Sequence, residues 1–339
     1  MDDQMDDVME DLTIEGFTVG PGQRLKTRIP ALELADGTLI SLPLILINGV
    51  RPGPRIYIGA GIHGDEVNSV ALVTKALAAV DPGDLAGSIV CVPVQQPLAL
   101  QADHRLPLAQ YLKSPLDQVP ADAWTCFPGD ANGNIAQVMA ARLFGLITQC
   151  DVALDVHTPT RGGKYVPIAI LPHHGMGTHA KRAEQLAHEL GTGWIVRGER
   201  GMYVSDGILC VEATRAGVPC FTFEIGEGGR LDLDFVETGA QCVLNLLKGL
   251  GMIPGARVEP KVTHVMRDFV GIRATHGGVL VTEVELGQAV SRGERLCRIF
   301  DVFGDVVEEV VAPVDGLFVR ATTLGTVSRG ERVATLGVV

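Results

Sequence analysis

The stretch Arg55-Ile-Tyr-Ile-Gly-Ala-Gly-Ile-His-Gly-Asp-Glu66 sets the architecture of this chain. It begins as an apolar run of strand length and ends in a turn with glycines at 59, 61 and 64. Apolar residues then recur at helical spacing from Val67 to Val80, and Ser88-Ile-Val-Cys-Val-Pro-Val94 is a second run apolar enough for a buried strand. Strand, helix, strand is a βαβ unit, which implies an α/β fold with helices on the faces of the sheet. The alternation continues. Asn134–Ile147 reads as a helix, Val152–Val156 and Pro167–Leu171 as strands, and Thr178–Leu190 as a helix closed by Gly191. Cys220–Ile225 is a further strand and Leu233–Leu250 a helix. Upstream, Thr27-Arg-Ile, Ala31–Leu34 and Leu39–Ile47 read as short strands, with Asp36-Gly37 as a hairpin turn. Segment 98–131 carries Pro107, Pro115, Pro120 and Pro128 without a clear period. A loop of that length inside an α/β domain reads as functional or as a lid.

Near Ile253-Pro-Gly-Ala256 the pattern changes. Helical periodicity ends, and Val, Thr and Gly alternate to the last residue. Val290-Ser-Arg-Gly-Glu-Arg-Leu296 recurs as Val327-Ser-Arg-Gly-Glu-Arg-Val333. The expectation is two domains, 1–254 and 255–339, the second a small β-barrel or sandwich of two similar halves. Around Ala312-Pro-Val-Asp-Gly316 it resembles a biotinyl/lipoyl-type barrel. Such barrels carry their cofactor on a lysine, and Phe300–Val310 contains none, so no prosthetic group is expected there.

Composition narrows the function classes. The 339 residues hold 28 Lys plus Arg against 40 Asp plus Glu, a net charge of −12. A chain this acidic repels phosphate backbones, and aromatics at 5% are too few for base stacking, so no nucleic-acid partner is expected. The acidic Met1-Asp-Asp-Gln-Met-Asp-Asp start lacks the basic and apolar regions of a secretory signal. The longest apolar run, Leu39–Val50, is interrupted by Ser41, Pro43 and Asn48 and falls short of the roughly 20 residues of a membrane span. Seven cysteines without a Cys-x-x-Cys pair read as reduced thiols in a cytoplasmic protein.

Three places carry chemistry. His63-Gly-Asp-Glu66 lies where the first strand of the βαβ unit ends, and ligands in open α/β sheets gather at the carboxyl ends of strands. Taken alone it also fits a surface His beside a helix-start acid. Asp155-Val-His157-Thr158 ends another apolar strand, and alternation puts Asp155 and His157 on one side. Two His and one Glu form a known catalytic zinc set. Glu224, in Phe221-Thr-Phe-Glu-Ile-Gly226, stands inside an otherwise apolar strand. A buried carboxylate needs a partner or a task, and general base beside a metal-activated water is such a task. Glu227 is the rival for that role.

The ordered set His63-x-x-Glu66, Asp-x-His157-Thr and Phe-Glu224-x-Gly resembles the succinylglutamate desuccinylase/aspartoacylase family, within the wider zinc carboxypeptidase-like group. The likeness covers most of residues 40–250, and the C-terminal β-region suits the family's layout. It implies a carboxypeptidase-like mixed sheet flanked by helices. It also implies one Zn2+ per chain held by His63, Glu66 and His157, with Glu224 as general base and Asp155 behind a ligand. Arg105, nine residues after Gln96, matches the arginine that stabilises the oxyanion. A departure follows. The family has Asp-Leu-Asn-Arg before Phe-Pro-Gly, and this chain has Asp122-Ala-Trp124-Thr125-Cys before Phe127-Pro-Gly129. Trp124 and Thr125 thus stand at substrate-binding positions but cannot grip a carboxylate in two-pronged fashion, so another arginine, Arg161 (also expected to bind substrate) or Arg142, takes over or the substrate lacks that group. The expected activity is removal of the acyl group from a small N-acyl amino acid or related amide. A metallocarboxypeptidase on short peptides and a non-catalytic small-molecule-binding homologue are the alternatives, and a homo-oligomer is left open.

Overall fold

The computed structural model describes residues 9–107, 122–199 and 201–339. The first eight residues, and Pro115 and Pro120 of the proline-rich segment, lie outside the described residues.

The chain starts with a two-stranded hairpin, β1 (Leu12–Ile14) and β2 (Phe17–Val19). The residues read as separate short strands near 27–34 form one strand, β3 (Gln23–Glu33), paired antiparallel with β4 (Leu39–Asn48) and broken by a register shift between Pro30 and Leu32. The Asp36-Gly37 turn joins them, with Gly37 at positive φ. Then come β5 (Arg51–Ala60), α1 (Val67–Ala78), β6 (Ala86–Val92) and the short α2 (Pro97–Gln101). Next are α3 (Ile135–Ile147), β7 (Val152–His157), β8 (Gly163–Ile170), α4 (Thr178–Leu190) and β9 (Trp194–Val196). α5 (Leu209–Arg215), β10 (Cys220–Glu227) and α6 (Leu233–Gly249) follow. Asn134 caps α3 in a reciprocal box with Gln137, and Gly191 ends α4 in the left-handed conformation.

After α6 the elements are strands: β11 (His264–Met266), β12 (Asp268–Arg273), β13 (Gly278–Thr282), β14 (Ala289–Val290), β15 (Arg295–Phe300), β16 (Val306–Val311), β17 (Gly316–Thr322), β18 (Thr326–Val327) and β19 (Arg332–Val338). The two copies of the repeat are the turns β14–β15 and β18–β19. In each, the glutamate accepts from a serine backbone N–H: Ser291 to Glu294 at 2.9 Å and Ser328 to Glu331 at 2.6 Å. β14 pairs with β17 of the other half, and β18 with β13.

The large sheet runs β12-β19-β17-β8-β10-β7-β5-β6-β4-β3. Its centre, β6-β5-β7-β10, is parallel, and β8 returns antiparallel beside β10. The C-terminal strands therefore extend the main sheet through β17 on β8, while β16-β15-β13-β18 form a second layer enclosing a core of Leu296, Ile299, Phe318 and Leu336. This is the mixed α/β sheet that the family resemblance implies, and the β-region expected as a small barrel or sandwich is a sandwich. α1, α4 and α6 cover one face and α3 and α5 the other, so the central strands are apolar on both faces, as parallel strands are. No helix among the described residues is long and apolar enough to cross a membrane.

α1 and α6 touch through a glycine. A Cβ on Gly239 would lie 2.5 Å from the Leu72 Cδ2 atom. Gly239→Ala should lower stability by about 1–3 kcal/mol through overpacking. Adding Leu72→Ala should make the pair cost less than the sum of the two single changes, and denaturant midpoints of the four proteins read that coupling.

Candidate active site

β5, β7 and β10 are neighbours and end side by side, and their carboxyl ends carry the polar groups. After β5 the chain turns at Gly61, whose φ is +59°. Gly64 is needed for a different reason, since a Cβ there would sit 1.8 Å from the Ala99 carbonyl oxygen of α2. That close approach presses the turn down and puts His63 and Glu66 indoors, each about 1% exposed. Glu66 is the N-cap residue of α1, but its side chain does not cap the helix. It turns into the sheet end instead.

His157 is the last residue of β7. In the parallel register it stands beside Glu224 on β10, and Asp155 stands beside Thr222. Side chains that pair in register share a face, so all four point to the side covered by α3 and α5.

The imidazoles converge on one carboxylate. His63 Nδ1 is 2.5 Å from Glu66 Oε1, and His157 Nδ1 is 3.1 Å from Glu66 Oε2. Glu66 Oε2 also accepts the Thr158 backbone N–H at 3.1 Å. Each imidazole is held from behind through its other nitrogen: His157 Nε2 lies 3.0 Å from Asp155 Oδ2, and His63 Nε2 lies 3.0 Å from Asp122 Oδ1. The same Asp155 oxygen accepts Trp124 Nε1–H at 2.9 Å. Trp124 packs edge-on against His157 and Tyr203, with ring centroids 5.1 and 5.4 Å away.

Charge follows the geometry. Burial pushes the Glu66 carboxyl up, and the two imidazoles outweigh it and bring its pKa to about 2. Burial pushes the imidazoles down, but Glu66 and Asp122 hold His63, and Asp155 and Glu66 hold His157, above the usual histidine range. Glu224 goes the other way. Burial raises it, Glu66 adds like-charge repulsion, and the His157 imidazole and a hydrogen bond from Tyr203 only partly offset them.

His63, Glu66 and His157 offer ligand atoms within 4.8 Å of one another, all buried. With both Nε2 atoms on carboxylates, both Nδ1 atoms face the shared point, the arrangement by which carboxylates orient metal-binding imidazoles. This donor set fits a divalent cation, and two imidazoles with one carboxylate suit zinc.

The other expected residues fall around this centre. Arg105 is half-buried; its Nε and one terminal nitrogen meet Asp122 Oδ2 at 3.1 and 2.8 Å, and the other meets Thr160 Oγ1 at 3.1 Å. Thr125 is exposed, its hydroxyl on the Asp122 carbonyl at 2.9 Å. Arg161 points its guanidinium at Asp103, at 2.5 Å, and its backbone N–H at Asp65 Oδ2. Arg142 pairs with Glu15 at 2.8 Å. Glu227 accepts from Thr323 Oγ1 at 2.5 Å. A register shift in β10 between Glu224 and Gly226 lets two acids so close in sequence reach different surroundings.

Two residues given no role by the sequence belong to the centre. Asp122 bridges His63 and Arg105 and accepts the Trp124 backbone N–H at 3.1 Å. Tyr203 donates to Glu224 Oε2 at 2.8 Å. Asp122 had one available signal, as the acid that opens the segment before Phe127-Pro-Gly. Tyr203 had none.

Fold and donor set together define a carboxypeptidase-like α/β protein with a buried His-Glu-His pocket. The sequence profile of the succinylglutamate desuccinylase/aspartoacylase catalytic domain matches residues 52–250. The chain belongs to that family. It is similar to the N-alpha-acetyl-L-2,4-diaminobutyric acid deacetylase of Halomonas elongata, 24% identical over 321 residues, covering 92% of this chain and 90% of that protein. The ectoine utilization protein EutE (DoeB) of Ruegeria pomeroyi, in its product-bound structure, superposes with a TM-score of 0.79 at 21% identity, over 93% of this chain and 95% of that one. A succinylglutamate desuccinylase/aspartoacylase structure from Rhodobacter sphaeroides gives 0.76 at 23% identity, over 92% and 95%.

Asp122→Asn keeps the shape but removes the charge facing both His63 and Arg105. Metal affinity, measured by competition with a chelating dye, should fall by about 10–100-fold with the melting temperature little changed. Unaltered affinity would show that Asp122 does not hold His63 for a metal.

Proposed function

We propose that this protein is a zinc-dependent hydrolase, with one ion per chain, that removes the acyl group from a small N-acyl amino acid or related amide. The observation that carries this reading is the placement of Glu224 beside His157 in the β7/β10 register, next to the converging donors of His63, Glu66 and His157. The relative from Halomonas elongata, a deacetylase by name, supports the reaction class.

Each residue then has a task. His63, Glu66 and His157 would hold the cation, and Asp122 and Asp155 fix the two imidazoles. A cation held there would supply Lewis acidity toward a carbonyl and would lower the pKa of water toward about 7. Glu224 accepts the proton of the attacking water and returns it to the leaving amine. Burial and the neighbouring Glu66 make it hold a proton more tightly than an ordinary carboxylate does. Tyr203 is kept protonated by burial and by Glu224, and its hydroxyl fixes Glu224 Oε2. Among the described residues Glu224 Oε1 makes no hydrogen bond, so it is the oxygen left to receive the proton. Arg105, anchored by Asp122 and Thr160, presents a fixed positive charge to the developing oxyanion, an interaction of about 3–4 kcal/mol per lost donor in comparable sites.

Purified protein should contain close to one zinc per chain by elemental analysis, and the His63→Ala, Glu66→Ala double variant should contain essentially none. Glu224→Gln should keep its zinc and lose about 100–10,000-fold in kcat on N-acyl amino acids. A wild type that takes up no zinc, or a Glu224→Gln variant with full turnover, ends the proposal. A preference for dipeptides over acyl amino acids would turn it into a carboxypeptidase.

A further inference from the structure

An amino-acid substrate brings a free carboxylate, and the side chains at the family's carboxylate positions and the nearby arginines are otherwise engaged. Trp124 is buried and its one polar side-chain atom donates to Asp155. The Thr125 hydroxyl is on the Asp122 carbonyl. Arg161 is paired with Asp103, Arg142 with Glu15 and Arg105 with Asp122.

Arg320 is different. It lies on β17, in the C-terminal sandwich, and is half-buried. Its side chain bonds only the neutral Thr322 hydroxyl, at 3.1 Å, and among the described residues no carboxylate pairs with it. Withdrawing a cation from water without a counter-charge is unfavourable, so its position favours an incoming anion. The backbone makes room for it. A Cβ on Gly163 would come within 2.7 Å of the Arg320 guanidinium, which therefore lies against the bare start of β8.

Position relates this arginine to the reacting centre. Arg320 stands opposite Tyr165 on β8, and Tyr165 stands opposite Gly226 on β10, two residues past Glu224. The charged and titratable groups acting on it are Tyr165, Tyr203, Glu224 and the like-charged Arg332. Glu224 is not its counter-ion, because the polar contact of that carboxylate is with Tyr203.

We propose that Arg320 anchors the free carboxylate of an N-acyl amino acid substrate, so that a sandwich residue takes the part that Trp124 and Thr125 cannot. The proposal rests on the deacylase reading above. What it adds is the residue that would tell an unblocked carboxylate from its amide. A planar guanidinium can bind a carboxylate through two parallel N–H bonds, which an ammonium cannot reproduce.

The test compares each N-acyl amino acid with its carboxamide, using zinc-loaded protein. Wild type should favour the acid by at least about 30-fold in kcat/KM. Arg320→Met should bring that ratio to within about 3-fold of unity, chiefly by raising KM for the acid, while zinc content and kcat on the carboxamide hold. Arg320→Lys should keep an intermediate ratio. A wild-type ratio near one, or a ratio unchanged in both variants, overturns the proposal while the deacylase reading stands. If no acyl compound is turned over, that reading fails by itself, and calorimetric binding of the same acid and amide pairs decides the anchor. A preference for the acid that disappears in Arg320→Met supports it, and a preference that is absent or survives overturns it. Should Arg320→Met not fold, the wild-type ratio and Arg320→Lys decide between the same two outcomes.

Discussion

The site depends on one carboxylate held between two imidazoles. Glu66 takes Nδ1 of His63 on one oxygen and Nδ1 of His157 on the other, and the Thr158 N–H fixes its plane. Three ionisable groups this deeply buried would each be costly alone. Together they offset one another, and the two aspartates behind the imidazoles complete an alternation of negative and positive partners. The same donors fit a cation, which at that point would take the place of the protons that tie Glu66 to the imidazoles.

Holding that cluster falls to the sheet. Its donors come from the ends of two adjacent strands, β5 and β7, and the acid beside it from a third, β10. Parallel neighbours end at the same level, so residues about 100 positions apart in the chain meet without a long loop. The extension through β8 to β17 then brings a strand of the C-terminal sandwich within one strand of Glu224. The sandwich is thereby structurally continuous with the large sheet, not a tethered appendage.

Trp124 shows what the departure from the family pattern does physically. An indole cannot hold a substrate carboxylate, but it is wide enough to wall the pocket and has one N–H, which it gives to Asp155. It thus supports Asp155 behind His157, and its ring packs edge-on against His157 and Tyr203.

Local signals carried much of this in the sequence itself. The 3.6 period and Gly191 mark α4 to the residue, because one amphipathic face and a left-handed cap are local properties. The period of two fixes Asp155 and His157 on one face, and glycines 61 and 64 mark the turn that carries His63 and Glu66. Strand order left no such trace. Nothing local says that β17 lies on β8, that 27–33 belongs to one bulged strand, or that Arg320 ends near Glu224, since those outcomes depend on hydrogen-bond pairing between distant segments. Tyr203 was unreadable as a partner for the same reason, and Asp122 showed only as an acid before Phe127-Pro-Gly: an acid or a phenol acquires a role only from the side chain that packing sets against it. Residue types and their spacing determined which groups could do chemistry here; the tertiary structure alone decided which of them face one another.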